Sequence, residues 1–332
     1  MIRGDMFRKM RNAAMLFFII SALFIGTYAS GAEYANPYLL ADVKMVADKI
    51  GGPDWVVIDC RDEHAYATGH IPGAISLGGA CGKVLRDASH RAKKTEDLEK
   101  ILGNAGVSMD KHVVVYADAK LITSASIAFW CLEHLGHAKV HFLDGGIEGW
   151  MDAGKPLDMT EKKLAPVAFK ARVIKSRTAS TEEIVKIAKG EVKDVNVIDS
   201  RTEKEHAGSD IRALRGGFIP NTTINVSHIK SYYFQNGKIH TMDDLETLFG
   251  KLDRNKRTIA YCQTGTRSTL AYLEFRLMGF KDPANYDDSW IVYGSNVDYP
   301  AANENWYDFV KINDTIKAVE ELKKEIEELK KR

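Results

Sequence analysis

Val56-Val57-Ile58-Asp59-Cys60-Arg61 returns much further along the chain as Asn196-Val197-Ile198-Asp199-Ser200-Arg201. Each is an apolar run that closes on Asp-x-Arg, and the motifs behind it return in the same order. Ile71-Pro72 becomes Ile219-Pro220, Val113-Val114-Val115-Tyr116 becomes Thr258-Ile259-Ala260-Tyr261, Leu135-Gly136-His137 becomes Met278-Gly279-Phe280, and Asp144 becomes Asp287. A constant order with drifting spacing marks an internal duplication interrupted by insertions. The halves are residues 36–155 and 178–310. In each, short apolar runs alternate with helical patterns such as 125–135 and 268–278, which predicts an α/β domain with a small, mostly parallel sheet flanked by helices. Residues 156–177, with Pro156 and Pro166, read as the linker, and Ser180 or Thr181 with nearby Glu183 caps the first helix of the second half.

With 332 residues, 45% hydrophobic and 27% charged, the chain is long enough for two domains and too balanced to be disordered. A formal charge of +1 provides no basic field for nucleic acid. Residues 12–32 carry no charge and follow Arg3, Arg8, Lys9 and Arg11; the rest of the chain offers no comparable apolar run, which excludes a multi-pass membrane protein. The order of basic start, apolar stretch 13–26 and small Ser30-Gly31-Ala32 reads as an export signal, residues 1–32, cleaved after Ala32. Its apolar part reaches about 21 Å against a bilayer core of roughly 30 Å, which favours cleavage over an uncleaved anchor. The expected location is outside the cytoplasm, the periplasm in a Gram-negative cell, with membrane contact only through this segment if it is retained.

Four cysteines, Cys60, Cys81, Cys131 and Cys262, are too few for a disulfide framework and share no metal-ligand spacing. Cys60 and Cys131 read as small buried hydrophobes. Whether Cys81 pairs with anything stays open. At the far end, Val319, Leu322, Ile326 and Leu329 make an amphipathic helix over 313–332, with Glu320/Lys324 and Glu327/Lys331 four residues apart. Two heptads fall short of a coiled coil, so this helix is expected to pack on its own domain or to fray.

The chemistry concentrates in Thr258-Ile259-Ala260-Tyr261-Cys262-Gln263-Thr264-Gly265-Thr266-Arg267-Ser268. A cysteine after a strand, a short loop of Gly and hydroxyl residues, and then a helix start bring several backbone N–H groups together around the sulfur. Such a nest favours anions and the thiolate alike, and Arg267 adds positive charge. The corresponding place in the first half reads Tyr116-Ala117-Asp118, with no nucleophile.

The loop 261–268 resembles the active-site loop of rhodaneses, the thiosulfate sulfurtransferases. Asp59-Cys60-Arg61 through Gly69-His70-Ile71-Pro72-Gly73-Ala74 resembles that family's N-terminal signature, and Asn285-Tyr286-Asp287-Asp288-Ser289-Trp290 the segment closing its active domain. The resemblance spans residues 36–310 and takes the tandem form, two rhodanese-like domains of which the second is active. It implies Cys262 as the catalytic nucleophile and the loop residues Gln263, Thr264, Gly265, Thr266 and Arg267 as substrate-binding. It also implies a basic substrate ligand just before Gly216-Gly217-Phe218-Ile219-Pro220, where Arg215 is preferred over Arg212. Arg201 is a shared-duty residue, substrate-binding as well as structural: its equivalent Arg61 serves a half without a nucleophile, so Asp-x-Arg has a structural task in both. Phe218 and Asn221 stand where the first half has His70 and Gly73.

The implied reaction moves a sulfane sulfur from a small anionic donor such as thiosulfate to cyanide or a thiol through a Cys262 persulfide, with no metal or organic cofactor. Two alternatives stand beside it. One is a noncatalytic sulfur or chalcogen carrier. The other is a cysteine phosphatase, whose Cys-x5-Arg loop is one residue longer than the interval from Cys262 to Arg267.

Overall fold

The computed structural model describes residues 32–331; the expected export signal, apart from Ala32, lies outside the described residues. In the first half, strands β1 (Leu40–Ala41), β2 (Trp55–Asp59), β3 (Ile75–Ser76), β4 (His112–Tyr116) and β5 (Val140–Leu143) form one sheet in the order β1-β5-β4-β2-β3. All of its pairings are parallel. The apolar runs follow from this: β2 and β4 are covered on both faces, and such strands read as continuous hydrophobic stretches.

The second half repeats the plan. Strands β6 (Val195–Asp199), β7 (Arg215–Phe218), β8 (Ile224–Asn225), β9 (Tyr232–Tyr233), β10 (Lys238–Ile239), β11 (Arg257–Tyr261), β12 (Asp282–Asn285) and β13 (Ala302–Trp306) appear in that order. The main sheet is β12-β11-β6-β8, again parallel, and a single bridge between Thr178 and Asn285 stands where the first half has β1. Strands β7 and β13 form a separate antiparallel pair beside it.

Asp-x-Arg does the same work twice. Arg61 pairs with Asp59 at 2.5 Å and donates to Gly69 O at 2.7 Å, while Tyr116 Oη donates to Asp59 at 2.7 Å. Arg201 pairs with Asp199 at 2.7 Å and donates to Gly217 O at 2.8 Å, while Tyr261 Oη donates to Asp199 at 3.0 Å. A buried pair is tolerated when further hydrogen bonds use up its remaining valences, and here they tie the end of the central strand to the next turn.

The two halves share one core. Leu270, Leu273 and Leu277 from the helix Ser268–Met278 join the first half's cluster around Phe129 and Leu132 on the helix Ile122–His134. Polar contacts fix the crossing: Ser126 Oγ lies 2.7 Å from Thr269 Oγ1, Tyr272 Oη donates to Glu133 at 2.6 Å, and Arg276 pairs with Glu133 at 2.9 Å. The segment expected as linker runs pinned along the first half. His70 N and Asp158 N each donate to the other's carbonyl, Val167 N donates to Gly103 O, and Arg172 N to Leu135 O.

The C-terminal helix spans Phe309–Lys330, begins before the expected start at 313, and is exposed at every residue. Its first turns border Ser209 and Ile211, and beyond Ile316 it does not pack on its own domain among the described residues. Arg332 lies outside the described residues. No helix among the described residues is long and apolar enough to cross a membrane.

Candidate active site

Cys262 follows β11 at the carboxyl edge of the second sheet, where the chain turns into the helix Ser268–Met278. Open parallel sheets bind ligands at this edge. The loop between is held rigidly from one side. Cys262 N donates to Ser289 Oγ at 3.1 Å, and Cys262 O and Gln263 O accept from Trp290 N at 3.0 Å and Ile291 N at 2.8 Å. Asn285 joins in, donating from Nδ2 to Gly265 O at 3.1 Å and accepting from Ser268 Oγ at 2.6 Å. Gly265 has φ +75°, and a Cβ there would collide with Asp287 O, so a side chain is excluded on both counts. Ser289 holds φ +50°, a strained value for a residue with a side chain, at the point where its hydroxyl meets the nucleophile's amide.

The environment sets Cys262 apart. Burial alone raises a thiol pKa, and it pushes that of Cys60, which sits against the Cys81 thiol, well up and that of Cys131 up to about 12. Around Cys262 burial acts the same way but is outweighed by the Arg267 charge, the Ser268 hydroxyl and amide, and the Thr264 amide, which leave its thiol below the ordinary value. All four cysteines are buried and free.

Arg267 is itself gripped. Its two terminal nitrogens donate to Glu205 at 2.7 and 2.8 Å, a bidentate charge-assisted pair. Glu205 is fully buried and completes a capping box with Thr202 at the start of the turn Glu203–His206. Burial would raise its carboxyl pKa, but Arg267 and the Thr202 amide and hydroxyl hold it down at about 2. The signal for Glu205 stood in the sequence as Thr202-x-x-Glu205. His228 lies nearby, with its pKa brought to about 4 first by burial and then by the Arg267 charge, so its imidazole is neutral at ordinary pH.

The structure brings Gln263, Thr264, Gly265, Thr266 and Arg267 around Cys262 but leaves Arg215 elsewhere. Arg215 is 2% exposed, pairs with Glu304 at 2.8 Å, and donates to Asn296 O and Tyr299 O, which ties β7 to the loop before β13. Its two terminal nitrogens are taken by Glu304 and these two carbonyls, none of them in the loop 262–267, so the structure lends no support to the expectation of a substrate ligand there. Arg212, the residue passed over, is at the rim: Gln263 Nε2 donates to its carbonyl at 2.6 Å, and its guanidinium stands 3.8 Å from Glu205 and 2.6 Å from Asp210. Arg201 is likewise spent on structure, 1% exposed and stacked 4.7 Å over the Trp290 ring.

The first half supplies what local sequence did not show. Arg86 donates from Nη2 to Thr264 O at 2.5 Å and lies 3.4 Å from Thr266 Oγ1, while pairing with Asp287 at 2.7 Å. Ala92 N donates to Asp287 at 2.7 Å and Arg91 pairs with Asp288 at 2.6 Å. The segment 86–92 thus clasps both the loop and the 285–291 segment behind it. The first half's own loop keeps the scaffold without the chemistry. Ile147 N donates to Ala117 O at 3.0 Å, as Trp290 N does to Cys262 O, but the turn's amides serve carboxylates of the same chain, Leu121 N to Asp118 and Ala119 N to Glu148.

A model of the rhodanese-like domain matches residues 42–153 and 182–295, one copy in each half. The chain is 29% identical over 281 residues to the thiosulfate sulfurtransferase of Corynebacterium glutamicum, covering 81% of this chain and 91% of that protein. It is 28% identical over 289 residues to the sulfur carrier protein TtuD of Thermus thermophilus, covering 81% of this chain and 98% of that one. Among solved structures, the anaerobic ergothioneine biosynthesis enzyme from Chlorobium limicola superposes with a TM-score of 0.72 at 20% identity, a likeness of fold covering 82% of this chain and 71% of that chain. Two matched domains in series, with a built cysteine loop in the second, fix the family: the chain is a tandem rhodanese, a sulfurtransferase of that family.

Proposed function

We propose that this chain transfers a sulfane sulfur from thiosulfate, or a donor of the same shape and charge, to cyanide or a thiol through a persulfide on Cys262. The observation that supports it most is the pairing of a buried thiol held below its ordinary pKa with a loop whose amides and Arg267 converge on the sulfur. In the first step the Cys262 thiolate attacks the outer sulfur of thiosulfate; that sulfur bonds to Sγ, the donor's S–S bond breaks, and sulfite leaves with the electron pair. In the second step cyanide attacks the outer persulfide sulfur, thiocyanate leaves, and the thiolate is restored. A thiol acceptor reacts in the same way as its thiolate. Each half-step needs a negative charge stabilised at the loop, which the oriented amides and the clamped guanidinium supply without reorganising.

Cys262 is completely covered, which favours a donor whose reactive atom projects from a narrow end. Thiosulfate presents such a sulfur; a phosphoryl group hides its phosphorus behind oxygens, which disfavours the phosphatase reading. Thiosulfate:cyanide turnover, followed as thiocyanate, tests the proposal. Sustained turnover supports an enzyme, a single stoichiometric burst supports a carrier, and hydrolysis of p-nitrophenyl phosphate supports a phosphatase.

Export of the chain with cleavage after Ala32 is part of the same proposal and rests on the basic, apolar and small-residue order of residues 1–32. Sequencing the N-terminus of the protein from the cell envelope tests it. An intact N-terminus in the membrane fraction favours the anchor.

A further inference from the structure

The helix Phe309–Lys330 has an apolar stripe that the described residues leave largely uncovered, only Ile312 and Ile316 bordering Ser209 and Ile211. Ile312, Ile316, Val319, Leu322, Ile326 and Leu329 are between 36% and 67% exposed, and every other residue of the helix is exposed as well. A helix of this length whose apolar side faces water gains little from packing, and most helical stability in proteins comes from packing that side.

The stripe has an internal order. With Ile312 at the first position of a heptad, Ile312, Val319 and Ile326 fall at a, and Thr315, Leu322 and Leu329 at d, over three heptads. The start at Phe309 supplies the turn that the expected helix 313–332 lacked. β-Branched residues at a with leucine at d select two parallel strands, because the side-chain vectors at the two layers differ and each fits the hole it meets. The flanking charges agree. Glu325 at g faces Lys330 at the e position of a parallel partner, twice per pair by symmetry, whereas an antiparallel partner would set Lys323 and Lys330 of the two e rows against each other. Glu320/Lys324 and Glu327/Lys331 lie on the outer positions, where they support each helix alone.

We propose that this helix pairs with the same helix of a second copy of the chain in a parallel two-stranded coiled coil, so that the protein is a homodimer held at its C-terminus. A isologous pairing of this kind closes on itself and leaves no free stripe for a third chain.

Analytical ultracentrifugation of the full chain beside its Leu322→Glu/Ile326→Glu variant, in one buffer, tests the pairing. The expected result is a twofold larger mass for the wild type, with thiosulfate turnover per chain equal in the two. A Leu329→Cys variant tests the direction: in a parallel pair the two d positions meet, so mild oxidation should give a disulfide-linked dimer on a non-reducing gel. Equal masses for wild type and the charged variant would overturn the pairing. So would a wild type that stays monomeric and sediments with phosphatidylglycerol vesicles. A dimer that Leu329→Cys fails to cross-link would overturn the parallel arrangement.

Discussion

Replacing Arg86 by Met tests whether the first half holds the catalytic loop of the second. The guanidinium is 3% exposed and its partner Asp287 13%, so the change removes a charge from a nearly dry pair and leaves a carboxylate behind. Burial already pushes the Asp287 carboxyl up in spite of Arg86. Breaking such a pair costs about 3–5 kcal/mol, and in domains of roughly this size each kcal/mol lowers Tm by about 2–4 °C. The same change also deprives Thr264 O of its donor at 2.5 Å and Thr266 Oγ1 of its contact at 3.4 Å. A loop displaced by about 1 Å can cost about 100-fold in rate, so kcat should fall along with stability. Arg86→Met/Asp287→Asn separates the two effects, because it removes both charges and restores none of the loop contacts. Thermal melts and steady-state thiosulfate:cyanide kinetics on both variants provide the measurement. The double variant should recover most of the lost Tm and little of the lost kcat. Full recovery of both, or an unchanged kcat in a folded Arg86→Met protein, would refute a role for Arg86 in holding the loop.

Three further outcomes are expected. Arg267→Ala should lower kcat/KM for thiosulfate by about one to two decades, since a charge-assisted contact is worth about 1.5–3 kcal/mol. It should also move the acid limb of persulfide formation to higher pH: the thiolate reacts, Arg267 is the leading group that lowers the Cys262 pKa, and without it the thiol protonates sooner as pH falls. Arg215→Ala, in contrast, should reduce Tm and leave the kcat/KM of the folded fraction close to wild type, because the Arg215 terminal nitrogens are engaged by Glu304 and the Asn296 and Tyr299 carbonyls and by no residue of the loop. Acid should destabilise the fold in a defined window. Asp199 and Glu205 are each held at about 2, below the ordinary 3.8 and 4.5, so their contribution is present above those ordinary values and is lost as pH falls from there toward 2; Glu205→Gln should flatten that part of the Tm profile.

The doubled sheet was legible because its central strands are buried on both faces, which writes a continuous apolar run ending in the same Asp-x-Arg at each copy. The cysteine loop was legible because its parts are contiguous: strand, sulfur, glycine, arginine and helix follow one another from Arg257 to Met278. Arg215 shows where that reasoning stops. A position beside a substrate turn says nothing about direction, and β7 points the guanidinium at Glu304 while its neighbour Arg212 stands at the rim. Arg86 was beyond reach for another reason. It meets Thr264 across 178 residues of chain, and no local pattern around it differs from an ordinary charged loop. The C-terminal helix failed by length, since the apolar pattern was read from 313 and the structure begins it at Phe309.

The proposed sulfur transfer turns on one atom, the Cys262 sulfur. Intact-mass spectrometry of the protein after brief exposure to thiosulfate, run beside Cys262→Ser and a Cys60→Ser/Cys81→Ser/Cys131→Ser triple variant, tests it without assuming an acceptor. Wild type and the triple variant should each gain the mass of one sulfur atom, lose it on adding cyanide, and the Cys262→Ser protein should gain nothing. A sulfur adduct on Cys262→Ser, or its absence from the triple variant with the fold intact, would contradict the assignment.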